Sequence, residues 1–222
     1  IVEAKPAMKA LCTVPFRDKT ITELDVSGQS LGVEGALVIR RYLDNNGVLT
    51  SIDISNNDIP DAQAEAIYQH FRMNKLNLAI EDKTLTVLDV SGIGFGAEGA
   101  AVVANFVKNN GAMVSVNILC NGINAEQANV LIKIMENKSS LKTLCDFKWN
   151  ATQLDLSGKR LTPGCGVLVA NEIKDNGALE TITFGDDQAV TMKADMTEAD
   201  FSNKGLETSG AMIVAAFLPK CQ

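Results

Sequence analysis

Five aspartates recur along this 222-residue chain in the same local context, and their carboxylates are the side chains best placed to do chemistry. Carboxylates in a row attract a surface rich in lysine and arginine, and they are also oxygen ligands of the kind that Ca²⁺ prefers. The alternative is a structural role, in which each carboxylate accepts hydrogen bonds from serines that flank it. The positions are Asp25, Asp53, Asp89, Asp155 and Asp200, with Asn117 in the equivalent place of another copy.

An eleven-residue motif positions these side chains. In the copy that starts at Leu49, Ile52 and Ile54 alternate with polar residues, and this period of two predicts a strand with one buried face. The distances from 21 to 49, from 85 to 113 and from 151 to 179 are each 28 residues. The copies read ITELDVSGQSL at 21, LTSIDISNNDI at 49, LTVLDVSGIGF at 85, MVSVNILCNGI at 113 and ATQLDLSGKRL at 151.

A helix is expected after several of these strands, because GVEGALVIRRYLDNNG at 32 recurs as GAEGAAVVANFVKNNG at 96 and TPGCGVLVANEIKDNG at 162. We expect Gly47, Gly111 and Gly177 to end these helices in the left-handed conformation that glycine adopts without a Cβ penalty. In the turn after the strand, Asn57 and Asn121 are expected to be buried, with amides that satisfy backbone groups.

The segments LDVSG and LDISNNDI, the EGA-type helix starts and the NNG stops resemble the ribonuclease-inhibitor-like class of leucine-rich repeats. The resemblance implies a single α/β domain over residues 1–222, either whole or a piece of a longer solenoid. That solenoid is right-handed, with a curved parallel sheet on its concave face and helices on its convex face. The pattern of paired copies and spacers is also similar to repeat proteins of protists and algae.

Four spacers between the copies are too short for a strand, a helix and a return, so we expect short inserted strands or hairpins there. The clearest hairpin candidate is TITF-GDDQ-AVTM, in residues 181–192. The spacer LKTLCDFKWNA holds Phe147 and Trp149, the only tryptophan. Trp149 is either an exposed contact residue for a partner or a cover for the sheet edge. The spacers span residues 11–20, 76–84, 141–151 and 179–195.

Composition excludes several functions. A net charge of −7 and a pI near 4.8 argue against nucleic acid, and no run of about 18 apolar residues predicts a membrane span. Five cysteines without CxxC spacing and the lack of a signal-peptide pattern favour reduced thiols in the cytoplasm. The sequence contains one histidine, His70, and no GxxxxGK[ST] phosphate loop, so we expect no enzyme activity and no cofactor.

The sequence therefore predicts a non-enzymatic scaffold that binds a protein with a basic surface. We expect two sets of contact residues: the acidic row with Asn117 on the concave face, and Phe147 with Trp149 on the insert. Two alternatives stay open. Members of the resembled class include Ran GTPase activators as well as ribonuclease inhibitor and sensor regions of innate immune receptors, so the chain is alternatively a regulator of a small GTPase. It is otherwise a structural subunit of a larger assembly.

Overall fold

Strands and helices alternate along the chain in the computed structural model, which describes residues 14–15 and 18–221. The fold is therefore α/β, with short parallel strands, as the motif predicts. The chain divides into two compact units after Glu81.

Unit 1 contains two strand–helix pairs. Strands β1 and β2 are parallel, with Leu24 opposite Ile52 in the register. The core beneath them includes Ile39 and Leu43 of the first helix and Ile67 of the second. The elements are β1 (Glu23–Asp25), α1 (Gly32–Leu43), β2 (Ser51–Asp53) and α2 (Asp61–Ala79).

Unit 2 repeats this order and extends it. Strand β3 pairs with β4 in parallel, β5 pairs with β6 in parallel, and β6 pairs with β7 in antiparallel fashion. A 3₁₀ turn (Leu218–Lys220) follows the last helix. The elements are β3 (Val87–Asp89), α3 (Gly96–Asn109), β4 (Ser115–Asn117), α4 (Ala125–Glu136), β5 (Gln153–Ser157), α5 (Pro163–Lys174), β6 (Thr181–Gly185), β7 (Val190–Lys193) and α6 (Glu207–Phe217).

The 28-residue spacing is also the register of the parallel strands. Glu23 lies opposite Ser51, Val87 opposite Ser115, and Gln153 opposite Thr181. Equivalent motif positions therefore lie side by side in each pair. A slip of one residue would turn the apolar positions outward, so burial of one face specifies this register.

Two glycines of α5 allow close packing of helices within unit 2. A Cβ on Gly164 would lie 2.5 Å from the carbonyl oxygens of Ile123 and Asn124, and one on Gly166 would lie 2.7 Å from Cα of Ser209. Their missing side chains let the start of α5 approach the residues before α4 on one side and α6 on the other.

The prediction that Gly47, Gly111 and Gly177 adopt a left-handed conformation is wrong, since none of the three has a positive φ. The asparagine before each of these glycines instead fixes the turn that follows the helix. Asn46 Nδ2 donates to the carbonyl of Ile21 at 3.0 Å, and Asn46 Oδ1 accepts from the amide of Val48 at 3.0 Å. Asn110 and Asn176 make the equivalent pair of bonds.

The spacers behave differently from one another. The prediction that the spacer at 76–84 begins with a strand-like segment is wrong, because α2 continues to Ala79 and Leu76 is fully buried. The spacer at 141–151 adds bridges to β4 through Thr143 and Cys145. The predicted hairpin is confirmed as β6 and β7. Most of the spacer at 11–20 lies outside the described residues.

Candidate interaction surfaces

The predicted aspartates of the strands belong to three different sheets among the described residues. Within unit 1, Asp25 and Asp53 are exposed and lie directly opposite each other in the register of β1 and β2. They are the one pair of predicted aspartates that the register places side by side among the described residues. Adjacent strands lie about 4.8 Å apart, so these two carboxylates repel each other in the absence of a cation.

In unit 2 the neighbours of the aspartates are neutral. Asp89 lies opposite Asn117, and Asp155 lies opposite Thr183. Asp200 is exposed in the segment between β7 and α6, outside the strands. Asp89 and Asp155 therefore lack the like-charged cross-strand neighbour that each aspartate of the pair in unit 1 has.

Every one of the five aspartates accepts a hydrogen bond from the backbone amide two residues further on, which is a serine in each case. The distance from amide nitrogen to Oδ1 is between 2.8 and 2.9 Å in all five turns. The expected serine bonds are thus present, and their donors are main-chain amides. In the Asp155 turn the Ser157 hydroxyl also donates, at 2.6 Å.

In three of the turns, hydrogen bonds from the serine favour the ionised form of the carboxylate. The backbone amide and then the hydroxyl of Ser27 lower the pKa of Asp25, and the hydroxyl and then the amide of Ser157 lower that of Asp155. The pKa of Asp200 is lowered in the same way by Ser202. The exposed side of the strands that carries Asp25, Asp53, Asp89 and Asp155, the outward face, is therefore anionic at neutral pH. The aspartates also stabilise the turns that follow the strands.

Beneath these turns lie the two buried asparagines, as predicted. Asn57 Nδ2 donates to the carbonyl of Val26 at 2.7 Å and to that of Ile54 at 3.0 Å, while its Oδ1 accepts from the amide of Gln29 at 2.8 Å. In unit 2, Asn121 donates to the equivalent carbonyls of Val90 and Ile118, and its Oδ1 accepts from the amide of Gly94. Each amide ties one motif copy to the previous one and holds the outward face in place.

The insert at 141–151 is fixed by strand pairing on one side. The amide of Lys142 donates to the carbonyl of Val114 at 2.7 Å, and the amide of Val116 donates to the carbonyl of Thr143 at 3.0 Å. The amide of Asp146 returns a bond to the carbonyl of Val116 at 3.2 Å. The first half of the insert is therefore a short extension of the β3–β4 sheet.

Glu172 of α5 holds the other side of the insert. Its carboxylate accepts from the hydroxyl of Thr143 at 2.7 Å, from the amide of Cys145 at 3.1 Å, and from the amide of Leu144. The Glu172 carboxylate thus accepts hydrogen bonds from backbone amides of the insert, as the carbonyl groups of a neighbouring strand would do in a larger sheet. Burial raises the pKa of Glu172 in spite of these donors.

Beyond this anchored segment the two predicted aromatic residues differ in exposure. Phe147 is half-buried, whereas Trp149 is 85% exposed. The exposure of Trp149 favours the contact-residue hypothesis over a role in covering the sheet edge. Both side chains line a cleft of about 510 Å³, together with Leu154, Ile173 and part of Glu172.

Sequence reasoning missed two acidic residues. The hydroxyl of Ser115 donates to Asp146 Oδ1 at 2.6 Å, and Asp146 has a φ of 57°, so this residue shapes the end of the added strand segment. Glu172 was the other omission. A detectable signal existed for Glu172, because it is the only acidic residue in helix α5, most of whose residues are apolar.

Three of the described thiols, Cys120, Cys145 and Cys165, are withdrawn from solvent to different degrees. Cys165 is fully buried, and burial raises the pKa of Cys120 and, further, that of Cys145. Thiols with a raised pKa hold their protons at neutral pH. Within residues 14–15 and 18–221 there is also no group of three or more His, Cys, Asp or Glu side chains placed to hold a metal ion.

No protein-family model matches the chain, and no curated protein matches it in sequence. The inference about function therefore depends on the strand face that bears the aspartates and on the insert at 141–151. In the described part of the chain, no helix combines the length and the apolar character needed to cross a membrane.

Proposed function

We propose that this chain is a leucine-rich-repeat protein of the ribonuclease-inhibitor-like class, with its motif copies stacked as coils of one right-handed solenoid. Parallel pairing at a 28-residue register in both units supports this proposal. So do the equivalent contacts of Asn57 and Asn121. Small-angle X-ray scattering is expected to show an elongated, curved particle of residues 1–222, and a spherical particle would contradict the proposal.

We further propose that the protein is a non-enzymatic interaction module that binds a partner protein through the insert and the outward strand face. The observation that carries this proposal is the exposed Trp149 on an anchored insert. Exposed tryptophan is rare on monomer surfaces and common at the centres of interfaces, since its ring buries a large apolar area when a partner covers it.

The anchoring of the insert strengthens the case. Pairing with β4 and the Glu172 carboxylate fix the backbone up to Asp146, three residues before the tryptophan. A side chain held on a rigid support loses less conformational entropy on binding than one on a free loop. The cleft beside the ring offers room for a side chain of the partner.

The acidic strand positions complement this apolar contact. Carboxylates that are ionised at neutral pH favour a partner rich in lysine and arginine, and they increase the rate of association at low salt. Cytoplasmic localisation belongs to the same proposal. Its support is that Cys120, Cys145, Cys165 and Cys221 are all free thiols.

Trp149 is also the reporter for the test, because it is the only tryptophan in the chain. In the free protein we expect red-shifted emission that acrylamide quenches freely, and a blue shift with loss of quenching when the partner is added. The partner would first be isolated from the native source on immobilised protein. A blue-shifted, protected emission in the free protein would contradict the proposal.

Two variants separate the surfaces. Trp149→Ala should release the partner from the immobilised protein, and Asp53→Asn with Asp89→Asn should weaken binding at low salt without loss of folding. Leu218→Ala, which also truncates an exposed apolar side chain, is the matched control. Equal retention of the partner by the wild type, the two test variants and the control would overturn the proposed surfaces.

A further inference from the structure

A second surface lies away from the strands of unit 2, in a groove between α3 and α4. Its volume is about 710 Å³, and its floor is apolar, formed by Ala104, Val130 and Ile134. Val130 is 48% exposed, although it lies in the middle of a helix whose neighbouring apolar residues Leu131 and Ile132 are buried. The two helices therefore leave apolar surface that neither of them covers.

The groove exists because α4 packs more extensively on α5 than on α3. Gly164, at the start of α5, permits the close approach on that side, where a Cβ would meet the carbonyl oxygens of Ile123 and Asn124. Neither glycine of α3, Gly96 or Gly99, makes such a close approach to α4. As a result, part of the α4 surface beside α3 stays uncovered, including Val130.

Three lysines surround the apolar floor: Lys108 from α3, and Lys133 and Lys138 from α4 and the residues after it. No acidic residue lines the groove, and none of the three ammonium groups forms an ion pair with a carboxylate of the described residues. Lysines also stabilise the C-terminal turns of helices. That effect explains their position along each helix but not the uncovered apolar floor between them.

The local charge is opposite to that of the whole chain, which carries −7. A small cationic rim around an apolar floor complements a segment with apolar side chains on one side and carboxylates beside them. Nucleic acid fits poorly, because three lysines neutralise few phosphates and the apolar floor has no counterpart on a phosphate backbone.

We propose that this groove docks a short acidic amphipathic segment of a partner protein. Its apolar side chains cover Val130 and Ile134, and its carboxylates pair with Lys108, Lys133 and Lys138. This surface is separate from the insert and the strand face and goes beyond the function proposed above. The protein would then hold a basic partner surface and an acidic partner segment at different places.

The test uses fluorescein-labelled peptides of about 14 residues, long enough for four helical turns, with leucines spaced three and four apart and glutamates beside them. Fluorescence anisotropy with the whole chain is expected to show saturable binding that weakens with salt. Control peptides carry glutamine in place of each glutamate. In ¹⁵N spectra the largest shifts should fall on residues of α3 and α4 around the groove.

The decisive variant is Lys108→Glu with Lys133→Glu, both exposed, which should weaken peptide binding about tenfold or more. The matched control is Lys174→Glu with Lys193→Glu, which changes the net charge by the same amount elsewhere in unit 2 and should change binding less than about twofold. Circular dichroism checks that both variants fold.

Three results would overturn the proposal: no saturable binding of any acidic peptide, equal loss of binding in the two double variants, or equal binding of the glutamine peptides. Vesicles of phosphatidylcholine with phosphatidylserine distinguish a lipid surface from a peptide. Vesicle binding that depends on Lys108 and Lys133, without peptide binding, would also overturn it.

Discussion

The second strand of each unit is followed by a helix, and the two helices end differently. In unit 1, α2 runs for 19 residues, from Asp61 to Ala79. In unit 2, α4 stops after 12 residues, at Glu136, and the chain then returns to pair with β4. The same motif precedes both helices, so the difference arises in the residues that follow it.

The two helices end differently because the residues at their ends find different hydrogen-bond partners and different burial. In unit 2 Asn137 donates from its side chain to the carbonyl of Lys133 at 2.7 Å and closes the helix, and Glu172 receives the amides of the returning strand. In unit 1 Asn74 lies within the helix and donates to the carbonyl of Leu43 at 2.8 Å, while Leu76 is fully buried. The comparison shows that a spacer becomes helix or strand according to the contacts it can make.

The largest effect should come from Leu76→Ala, which removes the buried anchor of the helical end in unit 1. Truncation of a fully buried leucine costs about 2–5 kcal/mol of the free energy of unfolding. Leu78→Ala is the matched control, since Leu78 is 52% exposed, and it should change stability by less than about 0.5 kcal/mol. Urea unfolding measures both, and equal effects would contradict the helical placement of this segment.

The buried asparagines test whether the two units are equivalent. Asn57→Ala and Asn121→Ala each leave buried backbone carbonyls without a donor, and each should cost about 2–3 kcal/mol. Hydrogen exchange resolves the loss unit by unit, which matters because the two units need not unfold together. A large effect in one unit and none in the other would break the equivalence.

Glycines sharpen the comparison within unit 2. Gly164→Ala places a Cβ 2.5 Å from two backbone carbonyl oxygens and should destabilise the protein by about 1–3 kcal/mol. Gly177→Ala has no atom within 4 Å of the new Cβ and no positive φ, so it should be neutral or slightly stabilising. Thermal unfolding compares the two variants. A larger loss of stability in Gly177→Ala than in Gly164→Ala would support the left-handed conformation of Gly177 that the NNG pattern predicts.

The smallest effect concerns pH and the strand segment that only unit 2 has. The pKa of Glu172 is raised in the folded protein. At pH values between 4.5, the ordinary pKa of this group, and the raised pKa, the folded protein therefore binds more protons than the unfolded chain. The contribution of Glu172 to the free energy of unfolding is therefore largest below this pH range. It decreases as the pH rises through the range, by at most about 1.4 kcal/mol per pH unit. Glu172→Gln should remove this slope.

Urea unfolding of the wild type and Glu172→Gln at several pH values measures the difference, in which contributions from other acidic groups cancel. A difference that stays constant with pH would contradict the raised pKa. Hydrogen exchange at Leu144 and Cys145 should speed up in the variant, because their amides lose an acceptor.

Much of the strand pairing could be predicted from local pattern. Alternation around Ile52 and the 28-residue spacing are enough to give the strands, their buried side and the register with Leu24. The buried role of Asn57 and Asn121 was also predictable, since an amide at an inward turn position needs backbone partners. The hairpin of β6 and β7 followed from two β-rich runs around a GDDQ turn.

Other features could not be read from local pattern. The segment LNLA at 76–79 has strand-like composition, but Leu76 is buried and the segment forms the last turn of α2. The five aspartates hold equivalent places in the sequence, yet strand pairing sets Asp25 against Asp53 within unit 1, whereas Asp200 lies outside the strands. The partners of Glu172 lie 27 to 29 residues away, which no local pattern shows.

The sequence by itself determined the motif, the parallel register and the hydrogen-bonded turns, because each depends on residues within one copy or at equivalent places in the next copy. Tertiary structure decided which spacer became helix or strand, that Trp149 is exposed, and that lysines surround an uncovered groove between α3 and α4. Those outcomes depend on contacts between elements distant in sequence, where burial and hydrogen-bond partners override local preference.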